Sequence, residues 1–357
     1  MRARGIPLLF CAIACLTAAP KAPAAAAIEI GGVQVADRGR TDLRIEVPAG
    51  TDDPGTFIPV SVLSGAEPGP TLLVVAGVHG YEFHSLLAAE RLADELDPDA
   101  LAGMLVLVRV AHVPAFEERS PYVNPFDRLN LNRAFPGRAD GSQTQRIAHA
   151  LSTELIARAD FVVDVHSGDG AEWLEAFAGV YGGPLASGYE EALAFGEALG
   201  FPNVVRYDMS SQAAIDRGRS LNRQAVAAGL PTVLVEIGEN GERDPVKVAA
   251  LVRGLRAGMA ALGMLADEEE LDAPPPRLLE GETSVPVAHS GLWHPHEAVG
   301  RFVVEGEELG VVRDYAGRVV ETVRAPVSGY AIYGLAGPPV RAGDSVLAIS
   351  RPVESLD

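Results

Sequence analysis

Two histidines and a glutamate stand at positions that could hold a metal ion. His79 and Glu82 are three residues apart in the phrase GVHGYEFHS, and His166 stands far along the chain in DVHSG. Two imidazoles and one carboxylate are a ligand set of a catalytic zinc site, which keeps a fourth position for water. The first pair alone is a weak signal, since a histidine there could simply cap a helix. Taken together, the three side chains predict a zinc site.

Three other side chains could act on a substrate beside such a metal. Glu236 ends the apolar run PTVLVE, and partial desolvation there would raise its pKa toward the range useful for a general base. A salt bridge to a neighbouring arginine is the structural alternative. Asn132 and Arg133, in RLNLNRAFPGR, offer an amide and a planar guanidinium suited to a carboxylate. That phrase could equally be a surface loop with Arg133 in an ion pair.

The elements that must position these residues alternate between strand and helix. The continuous apolar runs are typical of strands buried on both faces of a mainly parallel sheet: TLLVVAGV, GMLVLVRV, DFVVDVHS and TVLVEIG. Amphipathic helical patterns separate them: EFHSLLAAERLADEL, SQTQRIAHALSTELIARA, YEEALAFGEALG and SLNRQAVAAGL. The alternation predicts an α/β sheet covered by helices. Ligands bind at the carboxyl ends of such strands, where His79, His166 and Glu236 stand.

Asp164 lies on the same apolar run as His166. It could support that histidine from behind, as metal ligands are often supported by a carboxylate. We expect it instead to point to the opposite face of its strand.

Composition changes divide the chain into segments. We predict a catalytic domain at 28–265 that begins with short strands, a linker at 266–277 and a C-terminal β-module at 278–357. The linker is acidic and rich in proline, without periodicity. Within the module, VVEGEELGVV and PVRAGDSVLAI each place a glycine and an acidic residue before an apolar strand. This similarity predicts two related halves of a small all-β unit.

The first 27 residues predict a secretory signal peptide. A basic start, an apolar stretch at 6–19 and A-x-A options after it predict export to the periplasm or the medium. The stretch is too short to serve comfortably as a permanent membrane anchor. Both cysteines, Cys11 and Cys15, lie in this leader, so the mature chain would have to hold a metal through histidine and carboxylate. Lipoprotein processing at Cys15 is the less favoured alternative.

The charge balance restricts the class of partner. The chain has 48 acidic and 29 basic residues, a formal net charge of −19, and no clustered lysines and arginines. Phosphate contacts need such clusters, so nucleic acid is disfavoured as a partner. No strand is followed by G-x-G-x-x-G, which also disfavours a nucleotide-binding fold of the Rossmann type.

Four phrases in order, GVHGYE, NLNRAFPG, DVHSG and VEIGENG, resemble the succinylglutamate desuccinylase/aspartoacylase family of the zinc carboxypeptidase clan. The resemblance covers roughly residues 60–350, because VRAPVSGYAIY and VRAGDSVLAI also resemble the module of the family's bacterial predicted-deacylase branch. It implies a zinc-carboxypeptidase-like mixed sheet with one Zn²⁺ held by His79, Glu82 and His166. It further implies that Glu236 deprotonates the water that zinc activates, and that an N-acylated amino acid is hydrolysed at its amide bond.

The same resemblance implies that Asn132 and Arg133 hold the substrate carboxylate. Family members also carry an arginine shortly before the LNR phrase, which stabilises the oxyanion. In ERSPYVNPFDRLNLNR that position is blurred. We favour Arg128, with Arg119 and Tyr122 as the alternatives. Loss of such a donor would weaken transition-state stabilisation by about 3 kcal/mol.

The loop after His166 departs from the family in its charge. The phrase DGAEWLEAF places Asp169, Glu172 and Glu175 near the expected mouth of the site. Such a mouth would repel a dicarboxylate and attract a cationic substrate.

Two other functions compete with a small-molecule deacylase. One is a metallocarboxypeptidase that trims peptides, and the other is a non-catalytic binding protein that keeps the fold. A β-module that covers the cleft would exclude long peptides, whereas an open groove would admit them. A binding protein would need to have lost its metal, while the sequence keeps each predicted ligand and the predicted base.

Overall fold

A computed structural model describes residues 28–213, 219–266 and 271–356 of the chain. The predicted signal peptide, residues 1–27, lies outside the described residues and stays a prediction. So does the acidic part of the predicted linker, residues 267–270. Across the described ranges, no helix is both long and apolar enough to cross a membrane.

Short and long strands alternate with helices along the described chain. The strands are β1 Glu29–Ile30, β2 Val33–Gln34, β3 Gly39–Val47, β4 Thr56–Ser64, β5 Glu67–Ala76, β6 Ala102–Val108, β7 Phe161–His166, β8 Glu172–Leu174, β9 Phe177–Gly182, β10 Asn203–Asp208, β11 Thr232–Glu236, β12 Arg277–Pro286, β13 Gly291–Pro295, β14 Phe302–Val303, β15 Glu308–Arg313, β16 Val319–Arg324, β17 Gly329–Leu335, β18 Pro339–Val340 and β19 Ser345–Pro352. The α-helices are α1 Phe83–Glu95, α2 Val113–Glu118, α3 Gln143–Ala150, α4 Tyr189–Ala198, α5 Leu221–Ala227 and α6 Pro245–Ala261. Shorter helical turns are Pro98–Ala100, Leu131–Arg133, Leu151–Leu155 and Ile156–Arg158.

A mixed sheet forms the centre of the molecule. Its strand order is β14-β17-β19-β12-β10-β9-β11-β7-β5-β6-β4-β3. The parallel pairs β6-β5, β5-β7 and β7-β11 lie at its middle, and antiparallel pairs flank them. This architecture, together with the β-rich C-terminal part, confirms the predicted fold class.

Both faces of the central strands are buried, as the continuous apolar runs predict. Leu72 and Val74 of β5 belong to the core under helices α1, α4 and α6, whereas their neighbours Leu73 and Val75 belong to the core under α3 and α5. Successive residues of a strand point to opposite faces, so one apolar run supplies two cores. The central strands are therefore held rigidly from both sides.

The C-terminal β-module is joined to the central sheet. Strand β12 pairs in parallel with β10 and antiparallel with β19. Strand β8, in the loop after His166, pairs with β17 of the module. The module keeps a core of its own around the buried Trp293. Its position next to the loop after His166 brings it close to the predicted site.

The sequence patterns missed some elements. Strands β9 and β10 and helix α6 are described by the structure but were not among the predicted runs. Helix α6 begins at Pro245 after Asp244, whose side chain caps it by accepting a hydrogen bond from Val246. Proline in the first turn and aspartate before it are recognisable start signals of a helix.

A buried ion pair ties the loop between β3 and β4 to helix α3. The Arg146 guanidinium donates to both carboxylate oxygens of Asp53, at 2.7 and 2.9 Å. Burial disfavours the charge of Asp53, but Arg146 and backbone amides outweigh it and lower the pKa of this carboxyl below its ordinary value. A lowered pKa in the folded state makes Asp53 stabilising above its unfolded pKa of about 3.9, and this contribution is lost as the pH falls through the folded pKa.

Asp53→Asn should therefore lower the free energy of unfolding at pH 7 by about 3 kcal/mol, because it leaves the Arg146 charge buried and unpaired. Urea unfolding of both proteins between pH 7 and pH 2.5 measures this, and the difference should shrink as the pH falls below about 4. Asp140→Asn, in the exposed pair with Arg138, is the control that should leave the midpoint unchanged. An equal midpoint for Asp53→Asn would contradict the assignment.

Candidate metal centre and active-site cavity

Adjacent strands bring the predicted site residues together. Strands β5, β7 and β11 are neighbours in the sheet and run in parallel, so their carboxyl ends meet at one edge. Glu236 of β11 lies opposite His166 of β7 in the strand register. His79 follows the end of β5 by three residues. The sheet therefore brings the predicted site residues to one edge, as their positions at strand ends predict.

A tight turn places the first two ligands. Gly77 has φ +69°, and a Cβ on it would lie 2.9 Å from the backbone Cα of Val110, so the turn favours glycine there. The chain then turns into helix α1, with Glu82 at the residue before its first turn. His79 and Glu82 consequently lie on the same side of the turn.

The histidine rings converge on the two oxygens of one carboxylate. His79 Nδ1 lies 2.5 Å from Glu82 Oε1, and His166 Nδ1 lies 2.9 Å from Glu82 Oε2. All three side chains are buried, and one ligand atom from each lies within 4.8 Å of the others. Two nitrogens and an oxygen at this spacing match the donors that zinc takes in catalytic sites. The described residues therefore fit a single divalent cation.

Charges within the ligand group favour an ionised Glu82 and a protonated His166. Burial disfavours the charge of Glu82, but His166 and His79 outweigh it and lower its pKa to about 2. Burial likewise disfavours a charged His166, but Asp164 and Glu82 outweigh it and raise its pKa well above the ordinary value. Metal binding must displace such protons. We expect zinc affinity to fall as the pH falls.

Buried histidines outside this group are engaged elsewhere. His84 Nε2 accepts a hydrogen bond from the amide of Asp244 at 3.2 Å. His112 Nδ1 lies 3.3 Å from the carbonyl oxygen of Val78, and burial lowers the pKa of His112 to about 4. A neutral His112 that donates to this carbonyl holds the turn that carries His79 in place.

The prediction that Asp164 points away from His166 is wrong. Asp164 Oδ1 lies 3.1 Å from His166 Nε2, and both atoms lack a hydrogen-bond partner among the described residues. Residues two apart in a strand share a face, so the side chains of Asp164 and His166 point to the same side of β7. The other Asp164 oxygen accepts from Asn222 Nδ2 at 3.0 Å. Asp164 is thus fixed behind the nitrogen of His166 that does not face Glu82.

Asp164→Asn should weaken zinc binding by about 10- to 100-fold, because it removes the charge that orients His166 and raises its basicity. Competition of the purified protein with a fluorescent chelator at pH 7 measures this affinity. Asp160→Asn is the control, since Asp160 precedes the same strand and caps Thr71 at an exposed position. An unchanged zinc affinity for Asp164→Asn would show that this contact does not orient the ligand.

Glu236 is half-buried and makes no hydrogen bond or ion pair with any described residue. The structural alternative, a salt bridge to a neighbouring arginine, is therefore not found in the described part of the chain. Burial raises the pKa of Glu236 well above its ordinary value, with His166 acting against this and Glu82 adding to it. A cation bound beside it would counter part of the shift. A carboxylate with a raised pKa in a cavity is typical of a group that exchanges protons with a substrate.

The metal group and Glu236 open into one cavity of about 380 Å³. Its wall is formed by His79, Glu82, Tyr122, Asn130, Asn132, Arg133, His166, Glu172, Leu174, Asn222, Leu234, Glu236 and Tyr333. Such a volume suits a small organic molecule. The side chains predicted for metal, base and substrate carboxylate therefore share one space.

Comparison with known proteins identifies the family. Residues 68–262 match the model of the succinylglutamate desuccinylase/aspartoacylase catalytic domain. The chain belongs to this family. The match contains the metal group, Glu236 and the Asn132–Arg133 phrase, and it confirms the resemblance seen in the sequence.

Relatives of this chain extend over nearly its whole length. It is 29% identical over 321 residues to the N-alpha-acetyl-L-2,4-diaminobutyric acid deacetylase of Halomonas elongata, covering 87% of this chain and 92% of that protein. A succinylglutamate desuccinylase structure from a Silicibacter species superposes with a TM-score of 0.77 at 27% identity, covering 88% and 96% of the two chains. The product-bound ectoine utilization protein EutE (DoeB) of Ruegeria pomeroyi gives 0.78 at 25% identity, with the same coverage. The homology supports an amide hydrolase of the deacylase type.

Asn132 and Arg133, which were predicted to hold the substrate carboxylate, make different contacts in the structure. Arg133 is exposed at the cavity wall, donates to the Asn132 carbonyl oxygen at 2.7 Å, and forms no ion pair within the described residues. The Asn132 side-chain oxygen accepts from the amide of Leu221 at 3.0 Å, at the start of α5. Its amide nitrogen is left to donate to a ligand. Arg133 is therefore the main anion-binding group of the cavity.

The arginine predicted to stabilise the oxyanion lies outside the cavity wall. Arg128 and Arg119 are both exposed, at positive φ angles of 60° and 54°, and neither lines the cavity. Tyr122 lines it instead, with its ring edge-on to that of His79 at 5.1 Å. The geometry gives no support to the role predicted for Arg128. Within the described wall, Arg133 is the arginine that faces a substrate.

The acidic residues predicted at the mouth fall into two groups. Glu172 lines the cavity and accepts a hydrogen bond from the Tyr122 hydroxyl at 2.8 Å, while the buried Asp169 lies next to it in the loop. Glu175 instead pairs with Arg277 at 3.0 Å and does not line the cavity. Of the three acidic residues predicted at the mouth, Glu172 is therefore the one that lines the cavity.

Sequence reasoning missed part of the wall. Asn130 Oδ1 lies 3.3 Å from His79 Nε2 and accepts from the amide of Asn132 at 2.7 Å. Asn130 belongs to the same LNLNR phrase, so its two-residue spacing from Asn132 was the available signal. Asn222 and Tyr333 come from distant parts of the chain, and no local pattern pointed to them. They are found only when α5 and the module are placed in space.

Proposed function

We propose that this chain is a zinc-dependent hydrolase that cleaves the amide bond of a small N-acylated amino acid. The observation that carries the proposal is Glu236: an unpartnered, half-buried carboxylate with a raised pKa, in one cavity with a buried His–Glu–His group. A general base beside a three-ligand metal site is the arrangement that amide hydrolysis needs.

Each residue of the site has a role in the proposed reaction. His79, Glu82 and His166 would hold the zinc, which when bound supplies Lewis acidity toward water and the scissile carbonyl. Glu236 takes the proton of the attacking water and passes it to the leaving amine. Its raised pKa suits both steps, since it holds the proton between them.

Arg133 would bind the carboxylate of the amino-acid part. Its guanidinium is exposed in the cavity wall without a carboxylate partner in the described chain, and its fork of donors matches a carboxylate in bidentate fashion. The Asn132 amide nitrogen adds a neutral donor beside it. Together they orient the substrate so that its amide reaches the metal group.

The C-terminal module favours a small substrate over a peptide. Strand β8 pairs with β17, and Tyr333 of β17 lines the cavity beside Leu174 of β8. The module thus forms part of the cavity wall, as expected of a site that excludes long peptides. The Halomonas relative, named as a deacetylase of an N-acetylated amino acid, also supports a deacylase.

A substrate screen tests the proposal. Zinc-loaded protein is assayed with N-acetyl and N-succinyl amino acids and with dipeptides, and the released acid and amine are both quantified. We expect turnover of an N-acyl amino acid that stops after chelation and returns with added zinc. Faster turnover of dipeptides would instead indicate the metallocarboxypeptidase. Full activity of the metal-free protein would overturn zinc dependence.

A further inference from the structure

We propose that Glu172, held by the Tyr122 hydroxyl and the amide of Asp169, is a specificity subsite for a protonated amine on the amino-acid part of the substrate. The substrate class is then an N-acylated diamino acid. This inference rests on the proposed function. It adds that a protonated side-chain amine distinguishes the substrates from other N-acyl amino acids.

Glu172 is fixed in its place by both the loop and the module. Its Oε1 accepts from the Tyr122 hydroxyl at 2.8 Å, and its Oε2 accepts from the amide of Asp169 at 3.0 Å. Its backbone lies on β8, opposite Leu335 of β17. Tyr333 of the same strand β17 lines the same cavity as Glu172. A carboxylate held this firmly can recognise a ligand at little entropic cost.

The carboxylate lacks a cationic partner. No lysine or arginine of the described chain forms an ion pair with Glu172 or with Asp169, whereas Glu175, three residues further on, is paired with Arg277. Burial raises the pKa of Glu172, and the neighbouring Asp169 adds to this. Two acidic side chains in a confined space disfavour one another's charge, and a bound cation would relieve this. No lysine or arginine of the described chain therefore neutralises Glu172 in the cavity wall.

The cavity carries opposite charges at different positions. Arg133 is the cationic side chain of the described wall, and Glu172 is an acidic one outside the metal group and Glu236. A substrate that brings a carboxylate to Arg133 and an ammonium to Glu172 would satisfy both charges. A dicarboxylate would satisfy one and be repelled by the other. Independently, the Halomonas relative is named for a substrate that has a second amine.

Two substrates of nearly the same shape isolate the charge. Nα-acetyl-L-2,4-diaminobutyrate ends its side chain in an ammonium, and Nα-acetyl-L-norvaline ends it in a methyl group. We expect the wild type to prefer the first by about 10- to 100-fold in kcat/KM, the range for a charged hydrogen bond. Glu172→Gln should reduce this preference to less than about threefold, because the amide has no charge to offer.

Glu175→Gln is the matched control, since it changes a glutamate of the same loop outside the cavity wall. It should keep the wild-type preference. The ratio of two substrates is measured on one protein sample, so a partly misfolded fraction does not alter it. Calorimetry with the free amine products gives a second readout, in which L-2,4-diaminobutyrate should bind the wild type more tightly than it binds Glu172→Gln.

The outcomes separate this inference from the proposed function. If the wild type hydrolyses both substrates equally well, or Glu172→Gln keeps the preference, the subsite assignment is wrong while the hydrolase stands. If the wild type hydrolyses no N-acyl amino acid, the proposed function fails and this inference fails with it.

Discussion

Glu236→Gln should lower kcat by about 10²- to 10⁴-fold, the contribution typical of a positioned general base, while the protein keeps one zinc per chain. Glutamine has the shape of glutamate but cannot take a proton from water. Because Glu236 makes no hydrogen bond or ion pair with described residues, its replacement should leave the fold and the ligands undisturbed. Steady-state kinetics and metal analysis on the same sample measure the two effects.

The pH profile gives this prediction a second readout. A general base must be deprotonated to act, so kcat should rise with pH through the pKa of Glu236 and fall away below it. Burial raises that pKa, which moves the rising limb toward neutral pH, and a bound cation moves it partly back. The residual activity of Glu236→Gln should lack this limb.

Glu239→Gln is the control for this variant. Glu239 is a nearby glutamate of the following loop, pairs with Lys247, and lies outside the cavity wall. The Glu239→Gln protein should have the kcat of the wild type. If Glu236→Gln kept its kcat, the base would have to be another acid of the cavity, and Glu172 would be the first to test.

The centre of the sheet and the metal group were predictable because one physical rule governs both. Continuous apolar runs form strands buried on two faces, and the residues that follow such runs meet at one edge. His79, His166 and Glu236 all stand at the end of such a run, so the convergence followed without knowledge of side-chain positions. The strand order β5-β7-β11 in the structure then makes the three ends neighbours.

The rest of the site depends on contacts between distant segments. Tyr333 reaches the cavity only because β17 pairs with β8, and no local pattern encodes this pairing. The same pairing places the backbone of Glu172 opposite Leu335. Arg128 was favoured at a position that the sequence leaves blurred, and the structure places it in an exposed turn outside the cavity wall. The acidic charge of the loop after His166 could be predicted from the sequence, whereas the contacts of its side chains could not.

His166→Ala should lower the zinc content from one ion per chain to well below one, and turnover should fall to the background rate. The substitution removes one of three donor atoms that lie within 4.8 Å of one another, and a catalytic zinc site needs all three protein ligands. Metal analysis after dialysis against micromolar zinc, followed by a kinetic assay, measures both losses. This variant also leaves Asp164 and Glu82 buried without the imidazole between them, so its folding needs a check by circular dichroism.

His79→Ala serves as the second ligand variant, because the more accessible His79 has no second carboxylate behind it comparable to Asp164. It should lose zinc and turnover as His166→Ala does. His296→Ala changes an exposed histidine of the module and should keep both. If a well-folded His79→Ala or His166→Ala protein kept one zinc per chain and its rate, the ion would be held elsewhere. The cavity would then not be the metal site, and no activated water would lie there for Glu236 to deprotonate.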